Sequence, residues 1–295
     1  YGPIAEVWFD GACGEGPNGK RQEYDWDSYY ALVRQLQPEA AIAICGPDVR
    51  WVGNASGLAR DDEWSVVSGP RGHGERGVDF LEVDNGANDL GSRGNLAENE
   101  VTFWYPAECD VSIRPGWFYH ASQDLQVKSL DHLLDIYYRS VGRNSVLLLN
   151  VPPDQRGLFH ENDVARLKEL RAALDATFDQ DVARDAQGGD AAVDGAWDTY
   201  WSAGSDVDEL ALDLGAEKTV DRLLLQEAIE EGQRVERFVL EGWHDGQWKE
   251  IVRGGCIGYK RLERFSRVVV RRVRLRIEAS RAPARLRRIG LFRAP

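Results

Sequence analysis

Asp10 ends a run of apolar, β-branched and aromatic residues, Ile4-Ala-Glu-Val-Trp-Phe9, and is followed at once by Gly11. Such a run suits a strand covered on both faces. Gly11, Gly14, Gly16, Pro17 and Gly19 then prolong a loop. The carboxylate of Asp10 is therefore held at a strand tip, where parallel α/β folds place their chemistry. A second constellation, Gly46-Pro-Asp-Val-Arg-Trp-Val-Gly-Asn-Ala-Ser-Gly57, follows the next strand-like segment and offers Asp48, Arg50, Trp51 and Asn54. A third holds Glu108, Asp110, Arg114 and the aromatic run Trp117-Phe-Tyr-His120. Aromatic planes beside carboxylates and a guanidinium are the components of a sugar site, because C–H faces stack on rings while hydroxyls bridge to Arg and Asp. Each tryptophan taken singly fits core packing equally well. Their gathering on successive strand-end loops is what favours a site.

These residues need elements to position them. Residues 1–180 alternate strand-like and helix-like stretches, the pattern of a parallel sheet wrapped by helices. Asp25 or Asp27 can cap a helix through Tyr29, Leu32, Val33 and Leu36 to Pro38. Ala41–Gly46 reads as a second strand and Trp64–Val67 as a third, and residues 69–100 as a long surface loop. Order resumes at Trp104–Ile113, then an amphipathic helix from Ser129 to Gly142, the apolar strand Val146–Leu149 and a helix over Glu161–Phe178. That is roughly four strands and three helices, half of a (β/α)8-type barrel. A linker is expected at 181–194, which is rich in Ala, Gly, Gln and Asp. Over 195–295 the period shortens. Leu210–Leu214, Arg222–Gln226, Phe238–Trp243, Trp248–Val252, Val268–Val270 and Val273–Ile277 read as an antiparallel β-sandwich. The arginines of 261–288 alternate with Val, Leu and Ile, as on the solvated face of a half-buried strand.

The formal charge of −13 argues against nucleic acid or an anionic membrane as partner. The four cysteines (Cys13, Cys45, Cys109, Cys256) form no C-x-x-C pair and read as unpaired, mostly buried thiols. The five histidines (His73, His120, His132, His160, His244) show no ligand spacing, so no metal site and no cofactor is expected. The chain lacks methionine and opens inside a strand, so a longer protein is expected around it.

Taken together, the stretches at 6–19, 46–59, 106–122 and 133–158 closely resemble glycoside hydrolase family 29, the retaining α-L-fucosidases. The branch they resemble most acts on α-1,3/1,4-linked fucose of Lewis-type branched glycans. The region 195–295 is similar, more loosely, to a discoidin-like, carbohydrate-binding-module-like domain. The resemblance implies an exo-acting retaining mechanism in which Asp10 is the nucleophile that forms a covalent fucosyl-enzyme. In the family's acid/base motif, read here as Arg50-Trp-Val-Gly-Asn-Ala-Ser-Gly57, the glutamate position is Ala55. An alanine carries no proton, so this reads as a Glu-to-Ala inactivated variant. Trp8, Asp48, Arg50, Trp51, Asn54, Glu108 and Trp117 are the expected sugar contacts. Glu63 in Asp61-Asp-Glu-Trp64 is the rival acid. The family barrel also implies that this chain holds its second half, with an N-terminal half in the same molecule, fucosylated oligosaccharides as partners, and a secreted, periplasmic or cell-surface location. Two other readings stay open: a non-catalytic fucose-binding lectin on the same scaffold, and a role carried by the sandwich through Trp197, Trp201, Trp243 and Trp248.

Overall fold

The computed structural model describes residues 2–11, 22–72, 77–98, 101–184 and 186–295. The loop glycines Gly14, Gly16 and Gly19, with Pro17, Cys13 and His73, lie outside the described residues. The first region runs β1 (Glu6–Phe9), α1 (Trp26–Leu36), β2 (Ala41–Ile44), β3 (Val49–Trp51), β4 (Val66–Gly69), α2 (Arg93–Glu98), β5 (Val101–Trp104), β6 (Ala107–Ser112), α3 (Leu130–Arg139), β7 (Ser145–Asn150) and α4 (Glu161–Phe178). Strands β1, β2, β3, β6 and β7 form one parallel sheet in that order, the half-barrel the alternating pattern predicts. Every residue of β6, the segment AECDVS, is buried, as a strand covered on both faces requires. The caps are as the sequence implies: Asp25 accepts the Ser28 amide at 3.3 Å, and Ser129 accepts that of His132 at 3.3 Å.

Four expectations are corrected. The short stretch 49–51 is a barrel strand, although its Arg and Trp sit inside what reads as a strand-end loop. The segment around Trp64–Val67 does not join the barrel: β4 pairs antiparallel with β5 instead. Between Trp104 and Ile113 the chain makes two strands, because Pro106 lacks the amide a ladder needs and separates β5 from β6. Nor is 69–100 merely a surface loop. Val78, Phe80, Val83 and Leu90 are buried with Phe103, Tyr105, Ile42 and Tyr30 in a core on the outside of the sheet.

The second region comprises α5 (Asp190–Val193), β8 (Trp201–Ser202), β9 (Asp208–Glu227), β10 (Val235–His244), β11 (Gln247–Gly254), β12 (Arg261–Ser280) and β13 (Arg285–Phe292). It is an antiparallel sheet in the order β11-β10-β12-β9-β13-β8. The 20-residue strands β9 and β12 slip register between Arg264 and Val268 and between Val270 and Arg272. Bulges of this kind bend long strands. The expected linker at 181–194 is no free tether: Ala183, Ala186, Ala192 and Val193 are buried in the core of this sheet. Small alanines read as tether composition here because they fill a crowded surface. The arginine stripe lies along a polar face matched by carboxylates: Arg274 meets Glu209 and Glu241 at 2.8 and 2.7 Å, and Arg271 meets Asp213 at 3.1 Å.

The two regions are packed together. Leu224, Leu262 and Phe292 of the antiparallel sheet share an apolar cluster with Tyr138 of α3 and Phe178 of α4. A buried polar seam runs beside it. Asn144 donates to the Glu63 carbonyl at 2.9 Å and accepts the Tyr259 amide at 2.7 Å, and Gln233 accepts the Ser65 amide at 2.9 Å. No helix among the described residues is long and apolar enough to cross a membrane.

Candidate active site

All five parallel strands send residues from their C-terminal ends into one cavity of about 820 Å³. β1 contributes Trp8 and, just past its tip, Asp10; β2 contributes Ile44; β3 contributes Trp51 and, four residues on, Ala55. β6 adds Asp110 and its following loop Trp117 and Phe118, while β7 adds Leu148 and Asn150. The pairs Trp8/Asp10 and Leu148/Asn150 are two apart, so each shares one face of its strand. Asp110 is opposite Leu148 in the register of β6 and β7. Ile44 has φ 72°, a left-handed conformation costly for a β-branched residue, at the strand end that lines the cavity.

Two indole–carboxylate hydrogen bonds organise the polar part. Trp8 Nε1 donates to Glu108 Oε1 at 2.8 Å, and Trp51 Nε1 donates to Asp110 Oδ1 at 2.7 Å. Burial pushes the Glu108 carboxyl up to about 7, helped by the nearby Glu6. Trp117 remains 43% exposed at the cavity wall, and its carbonyl accepts from Asn150 Nδ2 at 3.0 Å.

The cavity therefore brings together Asp10, Ala55, Trp8, Trp51 and Trp117, with Glu108 bonded beneath Trp8. Three of the expected sugar contacts are not among the residues lining this cavity. Asp48 accepts the Ile42 amide at 2.8 Å and pairs with Arg34 at 2.8 Å, which closes the turn after β2. Arg50, fully buried, points to the other side of its strand, where it meets Glu63 and donates to the Tyr105 and Trp64 carbonyls at 3.0 Å each. The reason is the period of two: Arg50 and Trp51 are neighbours on β3 and must face opposite ways. Asn54 spends its side chain on the Leu58 carbonyl and the Ser56 amide, at 2.8 and 3.1 Å. The rival acid Glu63 is also excluded from the cavity, held by Arg50 and by Arg60 at 3.1 Å with no exposed surface. Asp110 and Phe118, from the third constellation, also line the cavity, and so do Leu148 and Asn150, which were not singled out. The alternation along Glu108-Cys-Asp110 and Val146-Leu-Leu-Leu-Asn150 was the available signal.

Among the described residues no cluster of His, Cys, Asp or Glu is placed to hold a metal ion. Cys109 and Cys256 are buried free thiols, and burial raises the Cys109 thiol to about 12. Of the tryptophans in the second region, Trp243 and Trp248 pack edge to face at 5.1 Å with Arg272 over Trp243, and Trp201 packs on the sheet core. Trp197 is the open one, 59% exposed with Arg287 behind its ring.

Residues 71–177 match the family model described as alpha-L-fucosidase, and residues 176–288 match the F5/8 type C domain. Asp10 and Ala55 precede the matched stretch. The chain is 37% identical over 312 aligned residues to Alpha-L-fucosidase 1 of Arabidopsis thaliana, which covers 99% of this chain and 58% of the plant protein. It superposes on a crystal structure from Bacteroides ovatus with a TM-score of 0.87 at 46% identity, covering 100% of this chain and 49% of that one. A Ruminococcus gnavus GH29 fucosidase in complex with fucose gives a TM-score of 0.80 at 27% identity, covering 99% and 61%. The chain thus spans about half to three fifths of the length of these proteins.

Proposed function

We propose that this chain, which joins an α-L-fucosidase-family segment to an F5/8 type C domain, is part of a retaining exo-α-L-fucosidase acting on α-1,3/1,4-linked fucose of Lewis-type glycans. The observation that carries the reading is one cavity lined at once by Asp10, Ala55 and three tryptophans. In this reading fucose rests against the indole faces, and the Asp10 carboxylate attacks the anomeric carbon. As the C1–O bond to Asp10 forms, the glycosidic C–O bond breaks and its electron pair moves to the departing oxygen. That oxygen then needs a proton, and the residue from which the family would supply it is the methyl group of Ala55. Water attack on the fucosyl-enzyme lacks a base for the same reason. Glycosidic oxygens of sugars leave poorly unprotonated, whereas aryl oxygens leave well. Loss of a general acid costs roughly 10²–10⁴ in rate.

The variant Ala55→Glu in the full-length protein is expected to raise fucose release from a Lewis-type trisaccharide by roughly that factor. An unchanged rate would remove Ala55 from the acid/base position. The parent is expected to retain slow glycosylation by an aryl fucoside, with a fluorinated activated fucoside labelling Asp10 in intact-mass and peptide spectra. Ala55 also favours a second reading, a lectin that binds fucose without cleaving it. Binding with no Asp10 adduct would select that reading.

The parallel sheet also supports a longer barrel. Among the described residues nothing pairs with the outer edges of β1 and β7. Val146 of β7 is 50% exposed, and Leu32 and Leu36 of α1 stand out from the helix into solvent. We assign these surfaces to the remaining strands and helices of a complete (β/α)8 barrel.

A further inference from the structure

We propose that Glu108 is a positioning residue: by accepting the Trp8 indole N–H, it lays that ring across the sheet as the floor of the sugar cavity. The inference rests on the proposed sugar-binding reading of the cavity. Sheet order supplies the geometry. β1 and β6 are separated by β2 and β3, yet Trp8 Nε1 meets Glu108 Oε1 at 2.8 Å, so the two side chains together span the concave face of the curved sheet. In the register of the intervening strands Ala43 stands opposite Trp8 and Val49 opposite Ala43, so no bulky side chain stands at those positions. Trp51 is treated differently. It sits opposite Glu108 in register, yet its N–H goes to Asp110, two residues nearer the strand tip. The ring of Trp51 therefore leans towards the mouth and makes a wall. Consecutive inward-facing carboxylates on one strand thus set two indoles at different heights.

The two carboxylates are not equivalent. Asp110 lines the cavity and can touch a ligand, whereas Glu108 is 1% exposed and reaches the cavity only through Trp8. An indole without its acceptor would keep its hydrophobic contacts but lose the single bond that selects one rotation of the ring. A buried N–H left unpaired is also penalised, which drives the ring to seek another rotamer.

The test uses the full-length protein with Glu108→Leu, of similar size but no acceptor, and Glu108→Gln, which keeps an acceptor oxygen. L-fucose is titrated by calorimetry, and the tryptophan bands are read by near-ultraviolet circular dichroism. Glu108→Leu is expected to weaken L-fucose binding by about tenfold, the size of one intramolecular hydrogen bond, and to alter the near-ultraviolet bands. Glu108→Gln is expected to stay within about twofold of the parent in affinity, because the acceptor rather than the charge does the positioning. A Leu variant with parental affinity and parental bands overturns the proposal, and so does a Gln variant as weak as the Leu one. A parent that fails to bind L-fucose, with bands that still change in Leu and recover in Gln, overturns the sugar-site reading and leaves the positioning role standing.

Discussion

At the scale of single residues, the sequence announces side chains that can do chemistry but not which way they face. Asp10 is visible because a strand tip is a boundary between composition types. Arg50 and Asp48 have the right types too, and both are consumed by structure: the buried Arg50 must be matched by Glu63, and Asp48 ties a turn. Only strand phase separates Arg50 from Trp51, and a three-residue strand is too short to show a period. Removing one partner of a buried ion pair leaves a stranded charge, so Glu63→Gln is expected to lower the unfolding free energy by about 3–5 kcal/mol in urea titrations. It should do so while leaving the labelling of Asp10 intact in the folded fraction. Glu108 gives a pH prediction. Its carboxyl is raised from 4.5 to about 7, first by burial, then by Glu6, with the Trp8 N–H opposing and Asp110 adding a little. The folded protein thus keeps a proton that the unfolded chain releases near its ordinary value. This contribution is whole below the unfolded value and is lost as pH climbs towards about 7. Thermal midpoints should therefore show Glu108→Gln gaining on the parent between pH 5 and pH 8; a constant difference would mean that the carboxyl titrates normally.

At the scale of elements, apolar runs of four residues announced β2 and β7, the run Val7-Trp-Phe9 before Asp10 announced β1, and capped amphipathic stretches announced α1 and α3. What escaped was decided by partners distant in sequence. The stretch at 66–69 has the composition of a barrel strand, but β5 reaches it first as an antiparallel partner, and the excursion between them buries its own Phe80 and Leu90. Gly57, two residues after Ala55, shows how tightly the β3 loop is seated. It has φ 74°, and a Cβ there would meet Val111 at 2.7 Å and Ile136 at 3.0 Å. Gly57→Ala combines backbone strain with overpacking, so a loss of roughly 1–3 kcal/mol is expected from chemical denaturation. If the proposed activity holds, fucose release in an Ala55→Glu background should fall more than stability does, because residue 55 is displaced.

At the scale of the whole molecule, the joint between the two sheets was the least legible feature. Its apolar part, Phe292 against Phe178 with ring centroids 5.1 Å apart, joins residues more than a hundred positions apart in the chain. Phe292→Ala is expected to cost about 3–5 kcal/mol and to lower the thermal midpoint of both regions together rather than of the second alone. Two separate transitions in calorimetry of the parent would contradict that coupling. The open edges of the parallel sheet make a further prediction. In the full-length protein the outward amides of β7 should exchange with deuterium as slowly as those of β6; fast exchange would mean that no further strand pairs there.

The polar seam has a practical corollary for anyone recombining these modules. The segment that leads from Ala55 into β4 is gripped from the far side: Cys256 donates its amide to Asp62 at 2.8 Å, Gln233 brackets Glu63 and Ser65, and Arg281 lies 3.5 Å from the ring centre of Trp64. A graft that replaces the F5/8 region with a foreign appendage would cut those moorings, and the first region would inherit a slack loop after Ala55 unless Gln233, Cys256 and Arg281 travelled with it.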